Sequence, residues 1–187
     1  MKGTADLRTA DGRLAKRAIS WDARWARWLL LAAEDAAENT KLWWAAAAAM
    51  ATVGGRRGRR AAAAGVAGMA VAQFLSNAVA KKLYDRRRPP KEWVPAEDLE
   101  DRPDSSSFPS GHTAAAVAFT GAVAPTWPSA AAACTVPAAL VAAERIHSGA
   151  HYPSDVAVGG VIGLTSAALA RAAPRLNWQH KLRRRAR

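Results

Sequence analysis

Cross-linking and chelating side chains are scarce. One residue of 187 is cysteine and four are histidine, so an intramolecular disulfide and a cysteine-built metal site are both excluded. Cys134 lies in an apolar run and reads as a small buried hydrophobe. Acid is also in short supply: 15 Asp and Glu against 27 Lys and Arg leave a formal charge of +12. No recognisable nucleic-acid-binding module accompanies that excess. The first residues, with Lys2, Asp6, Arg8, Asp11 and Arg13 ahead of any apolar run, lack the pattern of a cleavable secretory signal.

The positive charge is unevenly placed. Residues 1–41 and 81–104 interleave acids with bases, whereas the Gly54–Arg60 turn and the segment from Arg171 onward carry bases alone. A basic turn between two apolar, alanine-rich runs reads as a loop at a membrane surface, on the flanking-charge logic of spanning helices.

Charge disappears altogether from 42–55, 61–80, 113–143 and 156–170. These runs are rich in alanine and leucine and poor in β-branched residues, so they read as helices. The run 61–80 is long enough to cross a hydrocarbon layer of about 30 Å at 1.5 Å per residue, and the third is split into a hairpin by Pro125-Thr126-Trp127-Pro128. Ahead of them Trp21, Trp25 and Trp28 recur at helical spacing, the pattern of an amphipathic helix suited either to a bilayer interface or to packing in a bundle. Hydropathy alone, with a mean of −0.14, leaves a membrane protein and a soluble bundle level.

The expected helices are 42–55, 61–80, 109–124, 129–147 and 153–172. Alternating them up and down sends three chemical clusters to one end of the bundle. The first is Lys81 with Arg88 and Pro89; seven residues apart on a helix, the two cations lie on nearly one face and converge on a single oxyanion. The second is Pro109-Ser110-Gly111-His112, which opens a helix and so presents backbone N–H groups to an anion. The third is Arg145, His151 and Asp155, in which the aspartate is placed to accept a hydrogen bond from one imidazole nitrogen and aim the other. Each has a plain alternative: a basic helix C-terminus, an N-cap serine, an ordinary turn. His147 and His151 are four apart, but no further ligand set accompanies them to make a metal site. The proline-rich stretch 85–108 reads as a long functional loop.

Taken together, Lys81-x6-Arg88-Pro89, Pro109-Ser110-Gly111-His112 and Arg145-x5-His151-x3-Asp155 resemble the signature of the type 2 phosphatidic acid phosphatase superfamily, which includes bacterial acid phosphatases and vanadium haloperoxidases. The resemblance implies an all-α, membrane-embedded bundle of about five spanning helices preceded by an amphipathic interfacial helix. It divides the chain into a polar arm (1–18), a helical-bundle phosphatase domain (19–176) and a basic tail (177–187). It implies hydrolysis of a phosphatidic acid-like or polyprenyl phosphate or diphosphate through a phosphohistidine, without metal or other cofactor. His151 would be the nucleophile, Asp155 its orienting group and His112 the acid, with Lys81, Arg88, Ser110, Gly111 and Arg145 binding phosphate. The partners implied are the lipid substrate and the bilayer, in a multi-pass cell-membrane protein with an outward-facing site and no nucleic acid. A haloperoxidase or soluble acid phosphatase on the same fold, or a non-enzymatic basic scaffold, are the alternatives. One departure stands out: Glu144 occupies a position that is usually serine in the family.

Overall fold

Alanine-rich segments with few β-branched residues fold as the spacing predicts, into helices joined by short connections. The computed structural model describes residues 2–21, 24–95 and 105–185, and their side chains except at 2–5, 24–27, 31, 37, 39 and 173–185. Seven helices follow in order: α1 Lys2–Ile19, α2 Arg24–Ala37, α3 Lys41–Val53, α4 Gly55–Leu83, α5 Gly111–Val123, α6 Pro128–His147 and α7 Pro153–Arg185. No strand occurs among the described residues.

Helix α5 is the axis. Ala114, Ala115, Ala116, Ala118 and Phe119 are fully buried, and Phe119 meets Trp43 of α3 with ring centroids 5.4 Å apart. Helices α4, α6 and α7 pack around it, α3 packs on α4, and α2 on α6. The close approach of α7 depends on two small residues. A Cβ at Gly159 would lie 2.5 Å from the Ser110 carbonyl oxygen, and one at Gly163 would lie 2.7 Å from that of Ala114. Backbones can touch there only because side chains are missing.

Among the described residues three helical stretches are long and apolar enough to cross a membrane: Gly55–Leu83, Pro128–His147 and Pro153–Ala172. Helices α3 and α5, at 13 residues each, reach only about 20 Å. The expected 1–18 arm is a helix, docked through buried Asp11, Ala15 and Ile19. The aromatic stripe divides: Trp21 lies outside a helix, Trp28 is exposed on α2 beside buried Leu30 and Ala33, and the Trp25 side chain lies outside the described residues. The side chains of the basic tail lie outside them too.

The expected Gly54–Arg60 turn is tighter than the sequence implies. Gly55, at φ +54°, reverses the chain within the left-handed region open to glycine, so the arginines already belong to the first turns of α4. Arg57 Nε donates to the Thr126 carbonyl at 2.8 Å, tying this turn to the α5–α6 hairpin. Lower down, α4 is not uniform: Phe74–Ala80 is π-helical, immediately before Lys81. Such wide turns are commonly found beside functional sites.

Candidate active site

The π-helical run ends at Lys81, whose Nζ lies 3.3 Å from Ser105 Oγ. Arg88 reaches the same serine, with Nη2 3.4 Å from Oγ and Nε 3.1 Å from the carbonyl oxygen, and its Nη1 donates to the Ala150 carbonyl at 2.5 Å. The two cations of the first cluster therefore converge on one oxygen-rich point, but not from one helical face as expected: the helix ends at Leu83, and Arg88 reaches back from the non-helical segment 84–88, spanning also to the turn before His151.

Ser110 caps α5. Its backbone is extended, and its Oγ accepts from the Thr113 N–H at 3.4 Å and pairs with Thr113 Oγ1 at 2.9 Å. The Ser110 N–H donates to the Asp155 carbonyl at 3.1 Å, joining the second cluster to the third. Gly111 is buried opposite Asn77 of α4, whose Oδ1 would lie 3.4 Å from a Cβ placed there. His112 follows on the first turn of α5, and Lys81, Arg88 and Arg145 all lie within electrostatic reach of its imidazole.

His151 is 4% exposed. Its Nδ1 lies 2.5 Å from the Ser107 carbonyl oxygen. A carbonyl only accepts, so Nδ1 carries the proton and Nε2 keeps its lone pair. Burial, the largest influence, and the nearby Arg88 cation hold the imidazole well below its usual pKa, against the opposing bond to Ser107. At neutral pH it is an uncharged base.

The hydrogen bond expected from His151 to Asp155 is not made. The nearest carboxylate oxygen is 3.9 Å from Nδ1. Asp155, fully buried, instead accepts from Arg86 Nη1 at 2.7 Å and from the Tyr152 N–H at 2.9 Å. A guanidinium offers an ionised acceptor a stronger bond than a neutral imidazole does, and the N–H at the start of α7 is already in place. His147 turns away, its Nδ1 2.9 Å from the Ala18 carbonyl oxygen. Among the described residues no three His, Cys, Asp or Glu are grouped to hold a metal ion.

Arg145 is held between carboxylates. Its Nε pairs with Glu144, and its Nη2 donates to Glu34 Oε1 on α2 at 2.6 Å. Glu144 is thus drawn onto the neighbouring guanidinium, which accounts for an acid beside a cationic site.

All three clusters meet at one end of the bundle, built from the ends of α4, α5, α6 and α7. The PAP2 superfamily model matches residues 61–179, which contain every one of these residues. The chain belongs to the PAP2 superfamily. The decaprenylphosphoryl-5-phosphoribose phosphatases of two Mycobacterium tuberculosis strains, CDC 1551 and H37Rv, are each 37% identical to it over 105 residues. That alignment covers 51% of this chain, and the chain spans about half the length of these curated relatives, 54%. Among solved PAP2-type structures, the transmembrane phosphatidylglycerolphosphate phosphatase of Bacillus subtilis superposes with a TM-score of 0.68 at 20% identity, covering 91% of this chain and 87% of that one. LpxE of Aquifex aeolicus gives 0.63 at 22%, covering 86% and 93%. At that identity the two structures speak for the fold.

Several PAP2 site neighbours escaped the sequence reading. Ser105 and Ser107 were legible only as loop serines, and Arg86 as one more base in a basic run. Asp11 carried no signal at all, because it is 75 residues from Arg86, the side chain it binds.

Proposed function

We propose that this chain is an integral membrane phosphatase that hydrolyses a lipid-linked phosphate by way of a phosphohistidine, with no metal required. The observation that carries this reading is the His151–Ser107 contact, which leaves Nε2 unprotonated beside a cluster of cations. The polyprenyl-linked phosphate named for the mycobacterial relatives is the substrate class favoured, with glycerolipid phosphates as the second group to test.

In the first step His151 Nε2 attacks phosphorus, the bond from phosphorus to the lipid oxygen breaks, and His112, which takes up a proton as the phosphate anion binds and offsets the charge of Lys81, Arg88 and Arg145, gives that oxygen its proton. In the second step water attacks the phosphohistidine, His112 takes a proton from it, and inorganic phosphate leaves. Lys81, Arg88 and Arg145, with the Ser110 hydroxyl and the Gly111 N–H, bind the phosphate oxygens and stabilise the charge that develops on them. Asp155, 3.9 Å from Nδ1, favours the positive charge that His151 gains and fixes the turn that carries it.

Five helices, α3 to α7, lie within the bilayer, with α2 at its interface. The short α5 is tolerable because protein surrounds it. We place the site on the extracytoplasmic face. The described bonds of Arg86 and Arg145 pair them with acids at the site end, whereas Arg56, Arg59 and Arg60 are exposed at the other. Arg13, Arg17, Lys82, Arg87 and Lys91 are exposed at the site end as well, so the positive-inside rule casts no clear vote and the thiol-labelling experiment below decides the face.

The test is a substrate panel on detergent-solubilised protein. Phosphate release from a polyprenyl phosphate or phosphatidic acid is expected to survive a chelator, stop with vanadate and vanish in His151→Ala. Undiminished turnover in that variant would overturn the mechanism. Val53→Cys, exposed at the end of α3, is expected to react with an impermeant thiol reagent only after cells are opened.

A further inference from the structure

A buried carboxylate on α1 grips the first turn of α7, and it lies outside both the three clusters and the residues matched by the PAP2 family. Asp11 Oδ1 accepts from the Ser154 N–H at 3.0 Å, and Oδ2 accepts from Ser154 Oγ at 2.6 Å and from Arg86 Nη2 at 2.7 Å. The other arm of the same guanidinium, Nη1, donates at 2.7 Å to both Ser154 Oγ and Asp155 Oδ1. The Tyr152 ring lies 4.0 Å from the guanidinium carbon of Arg86. One cation thus bridges a carboxylate from residue 11 and the fully buried Asp155.

The arrangement is directional. An arginine has many rotamers, and a fork pinned at both arms keeps one of them. Asp11 also places negative charge on an N–H at the start of α7, where the helix dipole favours it. Burial disfavours the charged form of Asp11, but the bonds from Ser154 and Arg86 more than offset this and hold its carboxyl below the usual range. Through Tyr152 and Asp155 the network reaches the residue next to His151, and through the Asp155 carbonyl it reaches the Ser110 N–H.

We propose that Asp11 is a positioning residue for the phosphatase reaction: by pinning Arg86 and the start of α7 it sets Asp155 and the Tyr152–Asp155 turn, and so aims His151. Helix α1 is then a working part of the site. This rests on the reading of His151 as nucleophile. An open cleft of about 580 Å³, bounded by Leu7, Asp11, Tyr84, Arg86, Phe108 and Ser154, lies beside the network. Asp11 thus sits at the edge of that cleft, away from the central core around α5.

The experiment uses the full chain in detergent, with a polyprenyl phosphate as probe. Asp11→Asn is expected to lower kcat about tenfold or more and leave KM within about twofold, while Asp11→Glu retains more turnover than the amide. In Asp11→Asn/Arg86→Gln the loss is expected to be about that of Arg86→Gln alone, because Asp11 acts through Arg86. Asp6→Asn, on the same helix and outside the network, is the wild-type control. Amide hydrogen exchange over His151–Val156 is expected to quicken about tenfold in Asp11→Asn. A kcat within about twofold of wild type in Asp11→Asn, or losses that multiply in the double variant, overturns the inference. Unchanged exchange overturns it whatever the turnover. If the wild-type protein releases no phosphate, the phosphatase reading fails, and the exchange result still decides whether Asp11 holds the turn.

Discussion

The two ends of the bundle are built from opposite electrostatic materials. Among the described residues the acids lie in 6–38, 85–92 and 144–155, the segments that belong to the site end. Among the described residues the other end, with the Gly54 turn and the Pro125–Pro128 turn, has bases and no acid. At the site end ionised groups are stitched together across the chain: Asp11 to Arg86 to Asp155, and Glu34 to Arg145 to Glu144. At the far end Arg57 bonds a carbonyl and its neighbours are exposed. The same residue type therefore does two jobs. Arginine framed by carboxylates is internal structure and can be aimed, whereas arginine on an acid-free rim marks a surface.

The sharpest way to break that contrast is at the site end. His151→Ala should lower turnover by about a thousandfold or more, because a nucleophile has no substitute in the cluster, and phosphate-release kinetics check it. Next is Glu144→Ala. It leaves the buried Arg145 with Glu34 as its described carboxylate partner, so the loss is that of one charged hydrogen bond and should lower unfolding free energy by about 2 kcal/mol, read from denaturation in detergent.

A smaller effect concerns pH. The folded pKa of His151 lies well below its ordinary 6.5. As pH falls through 6.5 the unfolded chain takes up a proton there and the folded chain does not, so stability falls toward acid and is level above. The slope contributed is at most about 1.4 kcal/mol per pH unit, and His151→Gln should reduce it by that amount in thermal unfolding. The smallest effect belongs to the far end. Changing Arg56, Arg59 and Arg60 together to Gln should leave turnover within about twofold, since none of them touches the site network; a larger loss would erase the distinction between the two ends.

What could be read from the sequence follows the same division. The helices were legible because charge-free alanine runs have one economical fold: α3, α5 and α6 end within about two residues of the expected bounds, whereas α4 begins at Gly55 rather than 61 and α7 runs on to Arg185 rather than 172. The meeting of three clusters was legible because alternation of helices is nearly forced once their number is set. Contacts that depend on side-chain competition were not. Asp155 had two suitors, His151 and Arg86, and only coordinates show that the cation wins. The carbonyl of Ser107 has no sequence signature, since every residue carries one. Asp11 sits in a polar segment that reads as a loose arm or a short surface helix, and its role depends on tertiary distance. The turn at Gly54 was placed but drawn too long, because a single glycine at positive φ suffices to reverse the chain.

The most direct measurement is chemical trapping of the intermediate. Detergent-solubilised protein mixed with a polyprenyl phosphate carrying labelled phosphorus, and quenched in alkali within milliseconds, should yield one labelled peptide, containing His151, with the label lost on mild acid. Full turnover with no label on His151, or label on any other residue, would contradict a phosphohistidine mechanism.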